Sequence, residues 1–537
     1  MNAPTTVVLR NGTIVDGTGA PARTGDVVVE DGKVTAIHDA GSAPNGALDL
    51  DVTGLVVAPG FIDAHTHSDY TIIGEPAGAG RLLQGVTTEV PGNCGFSAFP
   101  LVAEHRSAQL DHFAGVGVAH DDLGGCDPDW QTFEGYADAV DAAKPGINIA
   151  PLAGHGTLRI AVLGDERRRA TASETVRMQA LLDAALAAGA VGLSTGLGHG
   201  PPATSDIDEL VALGSTVAAH GGTFAFHSRP KTDDGLSGLD EVVEVGRRSG
   251  VRVQHSHAAI NNPDGWGTAD QWLAKVDAYR DAGVDVTFDV YPYDASGGSL
   301  AQFLPARILD GGQAALAAEV ADPVALAAAI EEVRPGWGQG VRWLWNRVVI
   351  AAAPDPAMGG RSVAELADDA GIPPEEQMLR ICAEHWNLAK VIMHYRTEED
   401  MLAFLRHPAA MVGSDGSVMD PVERPGSLPH PRSFGYAPRI LGRYVRDQGA
   451  LSLEDAVYKL SGAVANRFGL EGRGRIAEGA VADIVVFDPA RVADRATYQQ
   501  PHLTPVGVEH VLVAGRMAVR DGVVTGERAG KVLRSGR

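Results

Sequence analysis

Cysteine is nearly absent: Cys94, Cys126 and Cys382 are the only three in 537 residues. So odd and sparse a set excludes a disulfide framework and makes a reducing cytoplasm the expected setting. Cationic residues are also in short supply. There are 44 Lys+Arg against 68 Asp+Glu, for a formal net charge of −24. That balance argues against nucleic acid and against an anionic membrane surface, since both reward a basic face. No uninterrupted apolar run approaches the roughly 20 residues a membrane helix needs. The opening MNAPTTVVLRNG has neither the basic cluster nor the apolar core of a signal peptide. No short-period repeat of the solenoid type is present.

What is there is ordinary globular material: 45% hydrophobic and 21% charged residues, the proportions of a folded, soluble protein. The length allows roughly two to four domains, or a barrel with a small attached domain. The 66 Gly and 31 Pro are spread along the chain and read as many turns between short elements. Richness in Ala and Gly, and in Arg over Lys, points to a GC-rich bacterial genome.

The two ends share one character. TTVVLRNGTIVDG and DVVVEDGKVTAIH near the start, and ADIVVFD and VEHVLVAGRMAVRDGVV near the finish, read as short strands joined by Asn-Gly and Asp-Gly turns. Residues 1–58 and 470–537 are expected to build one small β-sandwich domain. Between them, eight apolar strands are expected at 61–67, 86–94, 147–155, 190–197, 223–229, 251–257, 285–293 and 410–415. Amphipathic segments separate most of them. Eightfold strand–helix alternation is the pattern of an α/β fold of the (β/α)8 TIM-like barrel type over 59–469; a doubly wound open sheet is the rival. The span of about 297–409 is too long for one crossover and is expected to be a helical insertion near the barrel mouth.

In such a barrel the functional groups gather at the C-terminal strand ends. Here those ends carry His65-Thr66-His67, Gly92-Asn93-Cys94, His227-Ser228-Arg229, His255-Ser256-His257 and Ser414-Asp415-Gly416. Residues two apart on a strand share a face, so His65 and His67 can share one ion. Each signal alone has a bland reading. A lone His is usually a satisfied core residue, a lone Cys a small buried hydrophobe, and Ser-Asp-Gly a turn. Five metal-competent groups at five ordered strand ends are hard to obtain from packing and point to a metal site.

The run Pro59-Gly-Phe-Ile-Asp-Ala-His-Thr-His67, followed by His227, His257 and Asp415, resembles the amidohydrolase superfamily. Within it, the chain resembles the N-acyl-D-amino-acid deacylase (D-aminoacylase) family. The motifs that carry the resemblance are GVTTEVPGNCGFS at 85–97, LAGHGTLR at 152–159, VGLSTGL at 191–197, DVYPY at 289–293, MVGSDG at 411–416, HPRSFG at 430–435 and ADIVVFDP at 482–489. It runs from about residue 5 to about 530. The resemblance implies a tightly bound zinc on Cys94, His227 and His257, and a second, weaker position near His65, His67 and Asp415. The fourth strand offers no bridging Lys or Glu, and the Cys94 thiolate can serve instead, since a soft anionic sulfur binds zinc well. The resemblance further implies amide hydrolysis with Asp415 as general base and then general acid. Arg432 and Tyr291 match the family's carboxylate-binding positions, and Arg229 is the next candidate. His255 reads as a supporting residue behind the ligands, and His155 as a lining residue.

Three places depart from the family pattern. Ala259 stands where relatives carry a Lys that grips the substrate α-carboxylate. Pro230-Lys231 replaces an acidic residue after His-x-Arg, and Gly198-His199-Gly200-Pro201-Pro202 replaces an aromatic residue with Pro-Gly. Lys231 could supply the missing charge. The leading reading is a zinc hydrolase of N-acyl-D-amino acids, with a small-molecule substrate and no nucleic-acid or membrane partner. Ala259 favours the nearest rival, a related enzyme for another amide (a dipeptide, an N-carbamoyl compound or a cyclic amide). A non-catalytic barrel scaffold is the reading from a different class; it would have no need of Cys94, His227, His257 and Asp415.

Overall fold

A computed structural model describes residues 6–114, 128–198, 200–229, 236–338, 340–422 and 427–535. Cys126, His199 and Lys231 lie outside the described residues. No described helix is long and apolar enough to cross a membrane.

The chain is an α/β structure whose central strands are parallel. Phe61–Asp63, Val86–Glu89 and Asn148–Ile149 form one parallel group. Ala153–Gly154, Gly192–Gly196, Thr223–His227, Arg252–His255, Val286–Val290 and Ala410–Val412 form a second, neighbouring in that order. Main-chain bonds join the groups at both seams. At one, Leu152 N donates to Pro91 O and Val191 N to Pro151 O, so the 148–154 segment serves both neighbours. At the other, Ala64 N donates to Val412 O, Asp415 N to His65 O and His67 N to Gly416 O.

These strands are buried on both faces, which is why they read as continuous apolar runs and not as alternating ones. Helices fill the connections, and their ends are written in the sequence. Thr171 and Glu174 form a capping box at the start of Ala172–Ala188. Asp206 caps Ile207–Ala219 and Thr397 caps Glu398–Arg406, each accepting a bond from an otherwise orphaned N–H.

Strands from residues 7–59 and 484–524 make a single nine-stranded sheet. Within it, Val56–Pro59 lies between Val7–Ile14, which it pairs in parallel, and Ile484–Phe487, which it pairs antiparallel.

The insertion departs from the helical expectation. It does contain Ala306–Ala321, Pro323–Val333, Val363–Ala370 and Pro374–His385 as helices. It also contains an antiparallel sheet in the order Ser296–Ser299, Lys390–Met393, Val348–Ala352. Leu300, Ile350, Met378, Leu379 and Val391 close a separate apolar core between these layers.

Candidate metal centre and cavity

The parallel ladders stop before the residues of interest. The ladder segments end at Asp63, Glu89, His255 and Val412, whereas the expected strands ran on through His67, Cys94, His257 and Asp415. The reason is local: Cys94, His257 and Asp415 have φ of 54°, 39° and 55°, a left-handed conformation that no strand can continue. Each strand therefore turns sharply, and the turn aims its side chain inward. Gly92 makes the turn before Cys94 possible (φ 86°), because a Cβ there would run into the Leu152 carbonyl.

The turned side chains converge. Cys94 Sγ lies 3.3 Å from His65 Nε2 and 3.5 Å from His257 Nε2. Asp415 Oδ1 lies 3.1 Å from His67 Nε2 and 3.5 Å from His65 Nε2. Two candidate ligand sets result, His65–Cys94–His257 and His65–His67–Asp415, with His65 common to both. His227 joins them: its Nδ1 is 2.9 Å from His257 Nε2, and it hydrogen-bonds the Cys94 thiol. The structure thus gathers every expected ligand and gives His65 a more central place than the expected division did.

Electrostatics support the grouping. Burial pushes the Cys94 thiol up, but His65 and His257 outweigh it and hold the pKa well below the usual thiol range. Burial also opposes ionisation of Asp415, and Arg432 with His67 more than offsets it, so the carboxyl sits well below its ordinary value. A thiolate, imidazoles and a carboxylate packed this closely repel one another's lone pairs unless protons or a cation stand between them. The donor set is one that borderline-soft divalent metals take.

A second layer holds the ligands. Asp289 Oδ1 is 3.1 Å from His65 Nδ1 and accepts from His257 N at 2.9 Å, while its Oδ2 accepts from Gln254 Nε2 at 2.6 Å. Asp63 Oδ1 accepts from His65 N and Ser414 N. Neither carboxylate stood out in the sequence beyond its motif.

The other expected residues divide. Arg432 Nη1 bonds Asp415 Oδ2 at 2.8 Å, and its guanidinium lies 4.9 Å from the Tyr291 ring. Arg229 does not offer a free fork. Its Nε binds Glu241, and Nη1 and Nη2 bind the carbonyls of Ala203 and Ser205. It braces the loop at the cavity, which it also lines. His255 is buried beside Ser228 and Trp272, with its pKa lowered to about 3 by burial and by His257, and so is neutral. His155 opens the helix His155–Leu163 and does not end a strand; it bonds Thr195 and Glu209.

Beside these groups is a cavity of about 700 Å³, lined by Asp415, His227, His257 and Tyr291 from the ends of the central strands and by Phe303, Leu304, Trp337, Val341 and Arg396 of the insertion. Arg396 is a lining residue that sequence reasoning missed. Nothing in His394-Tyr395-Arg396 marks it as different from a surface arginine.

The amidohydrolase family profile matches residues 50–519. The chain is 37% identical to an N-acyl-D-glutamate deacylase of Alcaligenes xylosoxydans xylosoxydans over 98% of this chain and 96% of that one. It superposes on a solved D-aminoacylase with a binuclear metal centre at a TM-score of 0.81 and 35% identity, covering 99% of this chain and 100% of that one. It also superposes on an N-acyl-D-glutamate deacylase of Bordetella bronchiseptica, solved with zinc and a phosphonate mimic of the tetrahedral intermediate. The TM-score there is 0.80 at 34% identity, with 99% and 100% coverage.

Proposed function

The chain belongs to the amidohydrolase family, and from that premise we propose a zinc-dependent amide hydrolase that releases D-amino acids from N-acyl-D-amino acids. The observation that carries this reading is the placement of Asp415, held between His67 and Arg432 at the edge of the Cys94–His65–His257 group and facing the cavity. Similarity to deacylases of N-acyl-D-amino acids over nearly the whole chain supports the substrate class.

Cys94, His227 and His257 would hold the tight zinc, and His65, His67 and Asp415 a second, weaker position. When bound, the metal supplies Lewis acidity, polarising the acyl carbonyl and acidifying a water. Asp415 takes the proton as the water oxygen adds to the acyl carbon. It then returns the proton to the amide nitrogen, and the C–N bond breaks to leave a carboxylic acid and an amine. His67 and Arg432 keep Asp415 ionised and fix the direction of its oxygens. The insertion walls the cavity and limits the water that reaches it.

The architecture in this reading is a closed (β/α)8 barrel over 59–469, with the site at its C-terminal mouth. The insertion at about 297–409 covers that mouth, and 1–58 with 470–537 form a small β-domain carried by the nine-stranded sheet. Bonds across both seams of the central strands support closure. A cytoplasmic, bacterial setting fits a metal-ligating thiolate that must stay reduced. Ala259, which lines the cavity, favours as second reading an amide without a free α-carboxylate.

The test is hydrolysis of matched N-acetyl-D- and N-acetyl-L-amino acids with zinc present. Turnover confined to the D series supports the proposal. Turnover only of dipeptides, N-carbamoyl compounds or cyclic amides supports the second reading, and purified protein that neither binds zinc nor turns over any of these would return the scaffold to consideration.

A further inference from the structure

Arg396 follows the Lys390–Met393 strand of the insertion and reaches down into the cavity. It is only 9% exposed. Its guanidinium lies 4.2 Å from the Tyr291 ring, with Arg432 4.9 Å from the same ring. Its Nε donates to Asn261 Oδ1 at 3.2 Å. Its Nη1 is buried with no partner, and so is the Tyr291 hydroxyl. Among the described residues, no carboxylate comes within ion-pair distance of Arg396.

A buried guanidinium without a counter-ion is costly. A cation–π contact and one amide bond recover part of that cost but leave the fork open. Arg432, the other guanidinium over the Tyr291 ring, is already paired with Asp415. The open fork and the open hydroxyl therefore make a vacant place for a planar anion, and a carboxylate is the group that a guanidinium fork fits best. Ala259, on the same cavity wall, contributes no charge.

We propose that Arg396, with the Tyr291 hydroxyl, binds the α-carboxylate of the N-acyl-amino-acid substrate and supplies the cation that position 259 lacks. This rests on the hydrolase reading above and deepens it. It makes the substrate a free acid, and it makes the insertion a direct part of substrate recognition.

The test compares N-acetyl-D-leucine with its neutral amide in wild type, Arg396→Met and Arg396→Lys, all loaded with zinc and matched for zinc content and melting temperature. In Arg396→Met, kcat/KM for the acid should fall roughly 10- to 100-fold, the loss of one charge-assisted hydrogen bond. The fall should lie mainly in KM, the amide should fall far less than the acid, and Arg396→Lys should recover part of the loss. Equal falls for acid and amide, or no fall for either, would overturn the assignment. If wild type hydrolyses neither compound, it is the N-acyl-D-amino-acid reading that fails, separately from the carboxylate site. Calorimetric titration of N-acetyl-D-leucine into wild type and Arg396→Met then decides: binding lost in the variant supports the carboxylate site, and equal or absent binding overturns it.

Discussion

Asp289 reaches His65 from behind, its Oδ1 3.1 Å from Nδ1, and so determines that Nε2 faces Cys94 and Asp415. The same oxygen accepts from the backbone N–H of His257, which ties one carboxylate to two candidate ligands. Partners of this kind fix the tautomer and raise the basicity of the ring they hold. Asp289→Asn is expected to keep the fold and lower zinc affinity about 10- to 100-fold, read by competition with a chromogenic chelator. Unchanged affinity would mean that His65 is oriented by packing alone.

Cys94→Ala should remove the tightly held zinc, about one per chain. The other candidate ligands around it are imidazoles, and the variant loses the only thiolate that balances the ion's charge. Elemental analysis after dialysis measures this directly; full retention would take Cys94 out of the ligand set.

Asp415→Asn should retain the zinc but lose about 10²- to 10⁴-fold in kcat, the usual effect of deleting an acid–base group. Asp289, another carboxylate beside His65, has its oxygens committed to His65, His257 and Gln254. Near-normal turnover would place the proton shuttle elsewhere.

Glu209 gives the structure an acid-sensitive brace away from the metal centre. Burial pushes its carboxyl up, but bonds from His155 and Arg159 outweigh burial and leave the pKa at about 2. A carboxyl depressed on folding stabilises fully above its unfolded value near 4.5. That stability drains away as pH falls from there to about 2, and it is worth on the order of 3 kcal/mol. Glu209→Gln should therefore lower the melting temperature at pH 7 and flatten its decline between pH 5 and 2. A parallel decline in both proteins would show that other groups govern acid unfolding.

Much of this architecture is legible in the residues. Strands buried on both faces announce themselves as apolar runs, and the polar triplets that end them mark where the site lies. The left-handed turns at Cys94, His257 and Asp415 are not legible, so the expected strands ran two to five residues too far. The sheet in the insertion was hidden because one of its strands is Ser-Gly-Gly-Ser, which has no apolar signal. Arg229 and Arg396 show the deeper limit. Both are arginines near the cavity, and only the tertiary fold decides that Arg229 meets Glu241 while Arg396 meets no anion among the described residues.

The nine-stranded sheet sets an order on synthesis. Val56–Pro59 pairs on one side with Ile484–Phe487, a strand that emerges from the ribosome about 430 residues later. At translation rates of about 5–20 residues per second, that interval is roughly 20 to 90 s. Throughout it the nascent chain carries an unpaired strand edge of Val-Val-Ala-Pro, the type of edge that recruits other chains. The central strands between Gly192 and Val290, whose neighbours follow closely in sequence, can pair meanwhile. The pairing of Val56–Pro59 with Ile484–Phe487 forms last, so emergence of that late strand, rather than of the catalytic segment, times the appearance of native protein.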